Sequence, residues 1–158
     1  FGDAATVTLL TDDGPTGKPP WTPLAFRFRT MGQDGDALAC SDGRLAMNGR
    51  AVFNFSARAV PEEVLGLMET QGLSVADIDL FCFHQASKYL LDTLCRRLQL
   101  PEAKVPIELN NFGNTVSSSI PLLLEDRLDH AKLRRIMICG FGVGLAVATS
   151  VIERQPVR

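Results

Sequence analysis

Ile78-Asp-Leu-Phe-Cys-Phe-His84-Gln-Ala-Ser87 is the stretch on which the fold turns. The apolar run Ile78 to Phe83 ends on a histidine and passes at once into a helical pattern. Leu90, Leu91, Leu94, Cys95 and Leu98 line one face of that helix, and Pro101 stops it. The run lacks apolar–polar alternation, as expected of a strand covered on both faces. A titratable side chain where a buried strand becomes a helix is placed like a catalytic group.

On the amino-terminal side, Thr6 to Leu10 is β-rich, and Asp12 to Pro20 is dense in turn formers and reads as a loop. From Leu24 to Met31 the residues alternate, with Leu24, Phe26 and Phe28 on one face and Arg27 and Arg29 on the other, as in a half-exposed strand. Gly32 to Leu45 reads as a surface loop. Asn48 is placed as an N-cap for a helix with Phe53, Ala57, Val60, Val64 and Leu67 on one face. Pro61 should kink that helix or start a second one, and Gly72 ends it. Ser74 to Asp77 has capping-box character.

On the carboxyl-terminal side, Val105 to Leu109 reads as a short strand followed by a loop, Asn110 to Asn114. Val116, Ile120, Leu123, Leu124 and Leu128 line a third helix, with Pro121 as an early kink. Arg135 to Cys139 is a buried strand, Gly140 to Gly144 a tight turn, and Leu145 to Ile152 the last strand. This order of strands and helices implies an α/β fold, a mostly parallel layered sheet of five strands with helices on its faces. The last two strands are joined by too short a turn for a crossover, so that pair is antiparallel and the sheet mixed. Ligands bind such sheets beyond the carboxyl ends of strands, where His84, Asn114 and the glycine turn are expected to lie.

The chain has 158 residues, 46% hydrophobic and 22% charged, which suits one globular core. The net charge of −2, without a basic stripe, argues against nucleic acid as a partner. No apolar run approaches the roughly 18 residues of a membrane span. Cys40, Cys82, Cys95 and Cys139 show no metal-ligand spacing, so no metal site is expected. Three of them sit at apolar positions, a usage that suits a reducing cytoplasm.

One histidine at a strand end, or one asparagine before a helix, has an ordinary structural reading. Gly140-Phe-Gly-Val-Gly144 departs from GxGxxG and precedes no helix, so a dinucleotide site is not expected. Together, however, His84 and Asn114 can donate to one carbonyl oxygen, and a glycine turn exposes backbone N–H groups. The combination suits an oxyanion-stabilising site.

Four segments then carry a resemblance: Met47 to Phe55, His84-Gln-Ala86, Gly113 to Pro121 and Gly140 to Gly144. In this order and spacing they resemble the carboxyl-terminal half of a β-ketoacyl-acyl-carrier-protein synthase III, in the thiolase superfamily. Phe1-Gly-Asp-Ala-Ala resembles the segment that closes the family's amino-terminal half. The resemblance implies a thiolase-like half over residues 24–158, preceded by a remnant and linker over 1–23. It implies condensation of an acyl thioester with malonyl-acyl carrier protein and loss of carbon dioxide. Coenzyme A or a phosphopantetheine thioester is then the substrate, and no separate cofactor is needed. His84 and Asn114 match the residues that bind the malonyl carbonyl, the imidazole acting as a neutral donor. Phe141 matches the phenylalanine beside the nucleophile, and the turn Gly142-Val143 matches the second oxyanion hole, to which Val143 lends its backbone N–H. In the part of the family's site that meets the thioester arm and carrier, Ser87 and Tyr89 stand where family members often carry Asn and Arg, a departure that bears on carrier preference, while Arg50 and Lys88 are placed to meet an acidic carrier or a phosphate.

The family's nucleophilic cysteine belongs to an amino-terminal half that these residues do not match, and none of the four cysteines has its context. A longer polypeptide or a partner chain is therefore expected to supply it, this chain alone being inactive. A homodimer is expected of the full-length protein, and the surface that meets the other half should be apolar. An acyltransferase without decarboxylation and a non-catalytic subunit of a split synthase are the alternatives.

Overall fold

The structure is a computed structural model that describes residues 1–11 and 20–156. Residues 12–19, most of the turn-rich loop, lie outside the described residues.

The elements are β1 (Trp21–Thr30), β2 (Leu38–Ser41), β3 (Arg44–Met47), α1 (Gly49–Thr70), β4 (Leu80–Phe83), α2 (Lys88–Leu98), α3 (Leu109–Phe112), α4 (Ser119–Leu124), β5 (Arg135–Gly142) and β6 (Ala146–Arg154). Four strands form one sheet in the order β1-β6-β5-β4. The β4–β5 pair is parallel, and β5–β6 and β6–β1 are antiparallel. Antiparallel pairs thus outnumber the parallel one, contrary to the mostly parallel expectation. The sheet is layered and mixed, as the fold class requires.

β4 explains its own sequence. Phe81 and Phe83 stack with centroids 6.4 Å apart and lie in the main core with Val60, Val64 and Leu67 of α1 and Leu91 and Leu94 of α2. Cys82 points the other way, into a second cluster with Leu123 and Ile136. With both faces covered by helices, alternation has no function to serve.

Val105 to Leu109 does not join the sheet. Pro106 has no N–H to give a ladder. The side chain of buried Gln85 takes the place of a neighbouring strand: its Oε1 accepts from the Glu108 N–H at 2.9 Å and its Nε2 donates to the Phe83 carbonyl at 2.9 Å. Thr6 to Leu10 likewise forms no strand, and leaves Val7, Leu9 and Leu10 exposed. The expected loop after β1 contains a 3₁₀ turn and the hairpin β2–β3, closed at Asp42-Gly43. Both turn residues have positive φ, 51° and 71°, the type I′ requirement that Asp-Gly meets well.

Asn48 caps α1, its side chain accepting from the Ala51 N–H at 3.1 Å. The helix runs unbroken through Pro61 instead of restarting there, because buried residues on both sides, among them Ala57, Val60 and Val64, hold it in the core. Ser74 and Asp77 form the expected capping box. The third helix is shorter than expected. Val116 has φ +53°, which a regular helix forbids, so a 3₁₀ turn precedes α4. Pro121 falls in the first turn of α4, where its missing N–H costs little. The glycine turn is also narrower, since Gly140 and Gly142 stay in β5, opposite Ala148 and Ala146.

β1 reverses the usual sense of an amphipathic strand. Its arginines face α1: Arg27 and Arg29 meet the buried Glu63 at 2.9 Å and 2.6 Å, and Arg29 also pairs with Glu62. Its apolar face is the open one, with Leu24, Phe26 and Phe28 exposed by 42%, 54% and 72%. Phe26 and Phe28 stack on each other there, 6.0 Å apart.

Candidate active site

The carboxyl end of β4 sets the first side chain. The His84 N–H donates to the Cys139 carbonyl at 2.9 Å, which continues the β4–β5 ladder by one residue and fixes the backbone. The imidazole meets the edge of Phe141, at the end of β5, with centroids 5.3 Å apart and an interplanar angle of 75°. Its Nδ1 lies 2.7 Å from the Ser119 Oγ. Burial lowers the His84 pKa below the ordinary histidine range, while the Val116 carbonyl exerts a smaller opposite pull. The ring is therefore neutral at pH 7.

Asn114 follows the four-residue helix α3, not a strand end. Gly113 makes the turn that presents it, with φ +67° and ψ −159°, a conformation essentially reserved for glycine. The Asn114 Oδ1 accepts from the Val116 N–H at 3.0 Å. That bond decides the amide's orientation, since an N–H can only donate, and it leaves Nδ2 as the free donor end. Nδ2 makes a long contact, 3.4 Å, to the Ala86 carbonyl, two residues past His84.

One peptide segment thus joins the two side chains. The Val116 N–H holds Asn114, and the Val116 carbonyl oxygen lies 2.9 Å from the Ser119 Oγ, which in turn contacts His84. The amino terminus braces the same loop. The Gly2 N–H donates to the Asn114 carbonyl at 2.9 Å, and a Cβ on Gly2 would fall 1.9 Å from the Phe112 carbonyl oxygen.

The remaining expected residues divide. Val143 stands exposed at the tip of the β5–β6 turn, next to Gly142. Ser87 is the N-cap of α2 and accepts from the Leu90 N–H at 3.3 Å. Lys88 pairs with Asp92 one turn on, at 2.8 Å, and Arg50 is exposed in the first turn of α1. Burial pushes the Cys82 and Cys139 thiols up to about 12, and raises Cys95 as well, whereas Cys40 is exposed on β2. A cavity of about 10 Å³ beside Gln85, Thr115 and Ser119 is too small for a substrate. Among the described residues no three His, Cys, Asp or Glu side chains are arranged to hold a metal ion, and no helix is long and apolar enough to cross a membrane.

Ser119 and Val116 escaped the sequence as working parts. Three consecutive serines, 117–119, offer no local signal for which one turns inward.

Residues 68–154 match the family model described as 3-oxoacyl-[acyl-carrier-protein (ACP)] synthase III C terminal. The chain is 33% identical to a β-ketoacyl-[acyl-carrier-protein] synthase III of Listeria innocua over 157 residues, covering 97% of this chain and 49% of that protein. It is 37% identical to the enzyme of that name from Lactobacillus delbrueckii over 110 residues, covering 68% of this chain and 34% of the relative. The crystal structure of the Thermus thermophilus β-ketoacyl-[acyl carrier protein] synthase III superposes with a TM-score of 0.77 at 32% identity, over 87% of this chain and 48% of that one. The chain thus spans a third to a half of the length of these relatives.

Proposed function

The chain belongs to the 3-oxoacyl-[acyl-carrier-protein] synthase III family, matching its carboxyl-terminal part, and we propose that it provides the enolate-stabilising part of a decarboxylating condensing enzyme. The observation that carries this reading is the hydrogen-bonded chain from Asn114 through Val116 and Ser119 to His84.

In this reading the carbonyl oxygen of a malonyl thioester, carried on acyl carrier protein, accepts from the His84 Nε2–H and the Asn114 Nδ2–H. As the carboxylate leaves as carbon dioxide, the electron pair of the broken bond forms an enolate. Two preoriented donors hold its negative charge where it develops, which is worth more than solvation because the donors need no reorganisation. A neutral imidazole suits this role, and burial keeps His84 neutral. The enolate carbon then attacks the acyl thioester on a cysteine supplied from outside these residues, so that the new carbon–carbon bond replaces the acyl C–S bond and the cysteine leaves as thiolate. The high pKa of Cys82 and Cys139 supports an external nucleophile, since a thiol held near 12 has almost no thiolate at neutral pH.

Phe141, Gly142 and Val143 form the gate beside the nucleophile, with the Val143 N–H as a second oxyanion donor. Arg50, Ser87 and Lys88 lie toward the phosphopantetheine arm, delivered by acyl carrier protein or as acyl-coenzyme A. The exposed face of Leu24, Phe26 and Phe28 receives the amino-terminal half or a partner chain, and the complete protein works as a homodimer in the cytoplasm.

The test uses the natural polypeptide that carries this sequence, supplied with malonyl-acyl carrier protein and acyl-coenzyme A. Release of carbon dioxide with formation of a β-ketoacyl product is expected. Acyl transfer to an alcohol or amine without carbon dioxide release would replace this reading with that of a non-decarboxylating acyltransferase.

A further inference from the structure

The Ser119 hydroxyl has one proton and three neighbours: the His84 Nδ1 at 2.7 Å, the Val116 carbonyl at 2.9 Å and the Gln85 N–H at 3.3 Å. Ser119 is buried, so water does not compete for these contacts. The Gln85 N–H can only donate, and it occupies one lone pair of the hydroxyl oxygen. The Val116 carbonyl already accepts from the backbone N–H of Ser119. A carbonyl oxygen has two lone pairs, so that bond alone does not direct the hydroxyl proton; the imidazole nitrogen is the nearer acceptor, at 2.7 Å against 2.9 Å, and the more basic one.

An imidazole nitrogen that accepts a hydrogen bond is unprotonated. In a neutral ring the single proton then sits on the other nitrogen. We propose that Ser119 is a positioning residue that donates to Nδ1 of His84 and so holds the imidazole proton on Nε2, the nitrogen left for the substrate. The proposal deepens the condensing reading and rests on it for the use of that proton.

The choice of a hydroxyl matters. A carboxylate at this position would accept from Nδ1, draw the proton to that side and favour the imidazolium. No carboxylate contributes to the surroundings of His84 among the described residues. A hydroxyl can donate, so the ring stays neutral and still has a fixed orientation. The strained backbone of Val116, a β-branched residue at φ +53°, turns its carbonyl toward Ser119 while its N–H holds Asn114. Both donors of the proposed carbonyl clamp are thus oriented by one four-residue segment, Val116 to Ser119.

The experiment is nitrogen NMR of the natural polypeptide labelled with ¹⁵N-histidine, near neutral pH, with the His84 signals assigned by their loss in His84→Gln. A protonated Nε2 and a bare Nδ1 are expected in the wild type. Ser119→Ala should give a mixture of tautomers and lower malonyl-thioester decarboxylation about tenfold, the effect of one lost hydrogen bond. Ser119→Thr, which keeps the hydroxyl, should restore both. A wild-type proton on Nδ1 overturns the proposal, and needs no variant that must fold. A tautomer unchanged in Ser119→Ala overturns it too. A Ser119-dependent Nε2 proton in a protein that releases no carbon dioxide keeps the positioning role and overturns the reaction reading.

Discussion

β4 and β1 are strands of one sheet, yet they relate to the chain in opposite ways. β4 is buried on both faces, Phe81 and Phe83 against α1 and α2, Cys82 against α4. β1 is covered on one face only, and by ion pairs: Arg27 and Arg29 to the buried Glu63. Its phenylalanines face outward. The β4 side of the molecule completes its own core and ends on the candidate site. The β1 side exposes the apolar surface that a soluble monomer ordinarily buries, a sign of an unfinished interface. The part that carries the candidate site is also the part that completes its own core.

The sharpest way to break this contrast is to delete the same ring from each strand. Phe81→Ala should cost about 3–5 kcal/mol, the range for a large core truncation, measured by denaturant unfolding of the 158-residue chain. An effect as small as that of an exposed position would mean that the β4 core is not the stabilising one. His84→Ala should follow, lowering carbon dioxide release from a malonyl thioester about 10²–10³-fold in the natural polypeptide, as expected for a lost oxyanion donor. Full activity would remove His84 from the mechanism. Gly113→Ala should cost about 1–3 kcal/mol, because alanine is strained at φ +67°, ψ −159°. Activity should fall with it, since the turn presents Asn114.

The acid side offers a finer test. The folded pKa of His84 is depressed, so the folded state binds its proton less readily than the unfolded chain does. The resulting stability is present above the unfolded histidine value of about 6.5. It is lost progressively as the pH falls from there toward the folded pKa. Chemical denaturation of wild type against His84→Gln between neutral and mildly acid pH should show the difference. The smallest expected effect on monomer stability is that of Phe28→Ala, within about 0.5 kcal/mol. Sedimentation should nevertheless show weaker self-association of the 158-residue chain, and a comparable loss of stability to that of Phe81→Ala would abolish the contrast between the strands.

Much of this was legible in the sequence. The unalternating run before His84 announced a doubly covered strand, Asn48 announced its cap, and the short glycine turn announced an antiparallel last pair. The alternation of Leu24, Phe26 and Phe28 with Arg27 and Arg29 announced a half-exposed strand, though alternation identifies two faces without saying which one the chain itself covers. Other elements misled for identifiable reasons. Val105 to Leu109 has the composition of a strand, but Pro106 and the side chain of Gln85 divert its hydrogen bonds. The Asp42-Gly43 signal for a type I′ hairpin was present, but lay within a polar stretch that resembled a loop.

The sequence by itself determined most of the helices and sheet strands, the α/β class and the residue types of the candidate site, because periodicity, caps and turn residues act over a few neighbours. Only the tertiary structure decided that Ser119, of three adjacent serines, meets the His84 Nδ1, and that the Val116 N–H orients the Asn114 amide. Those contacts depend on one left-handed residue and on the packing of α4 against β4, long-range geometry that no local pattern encodes.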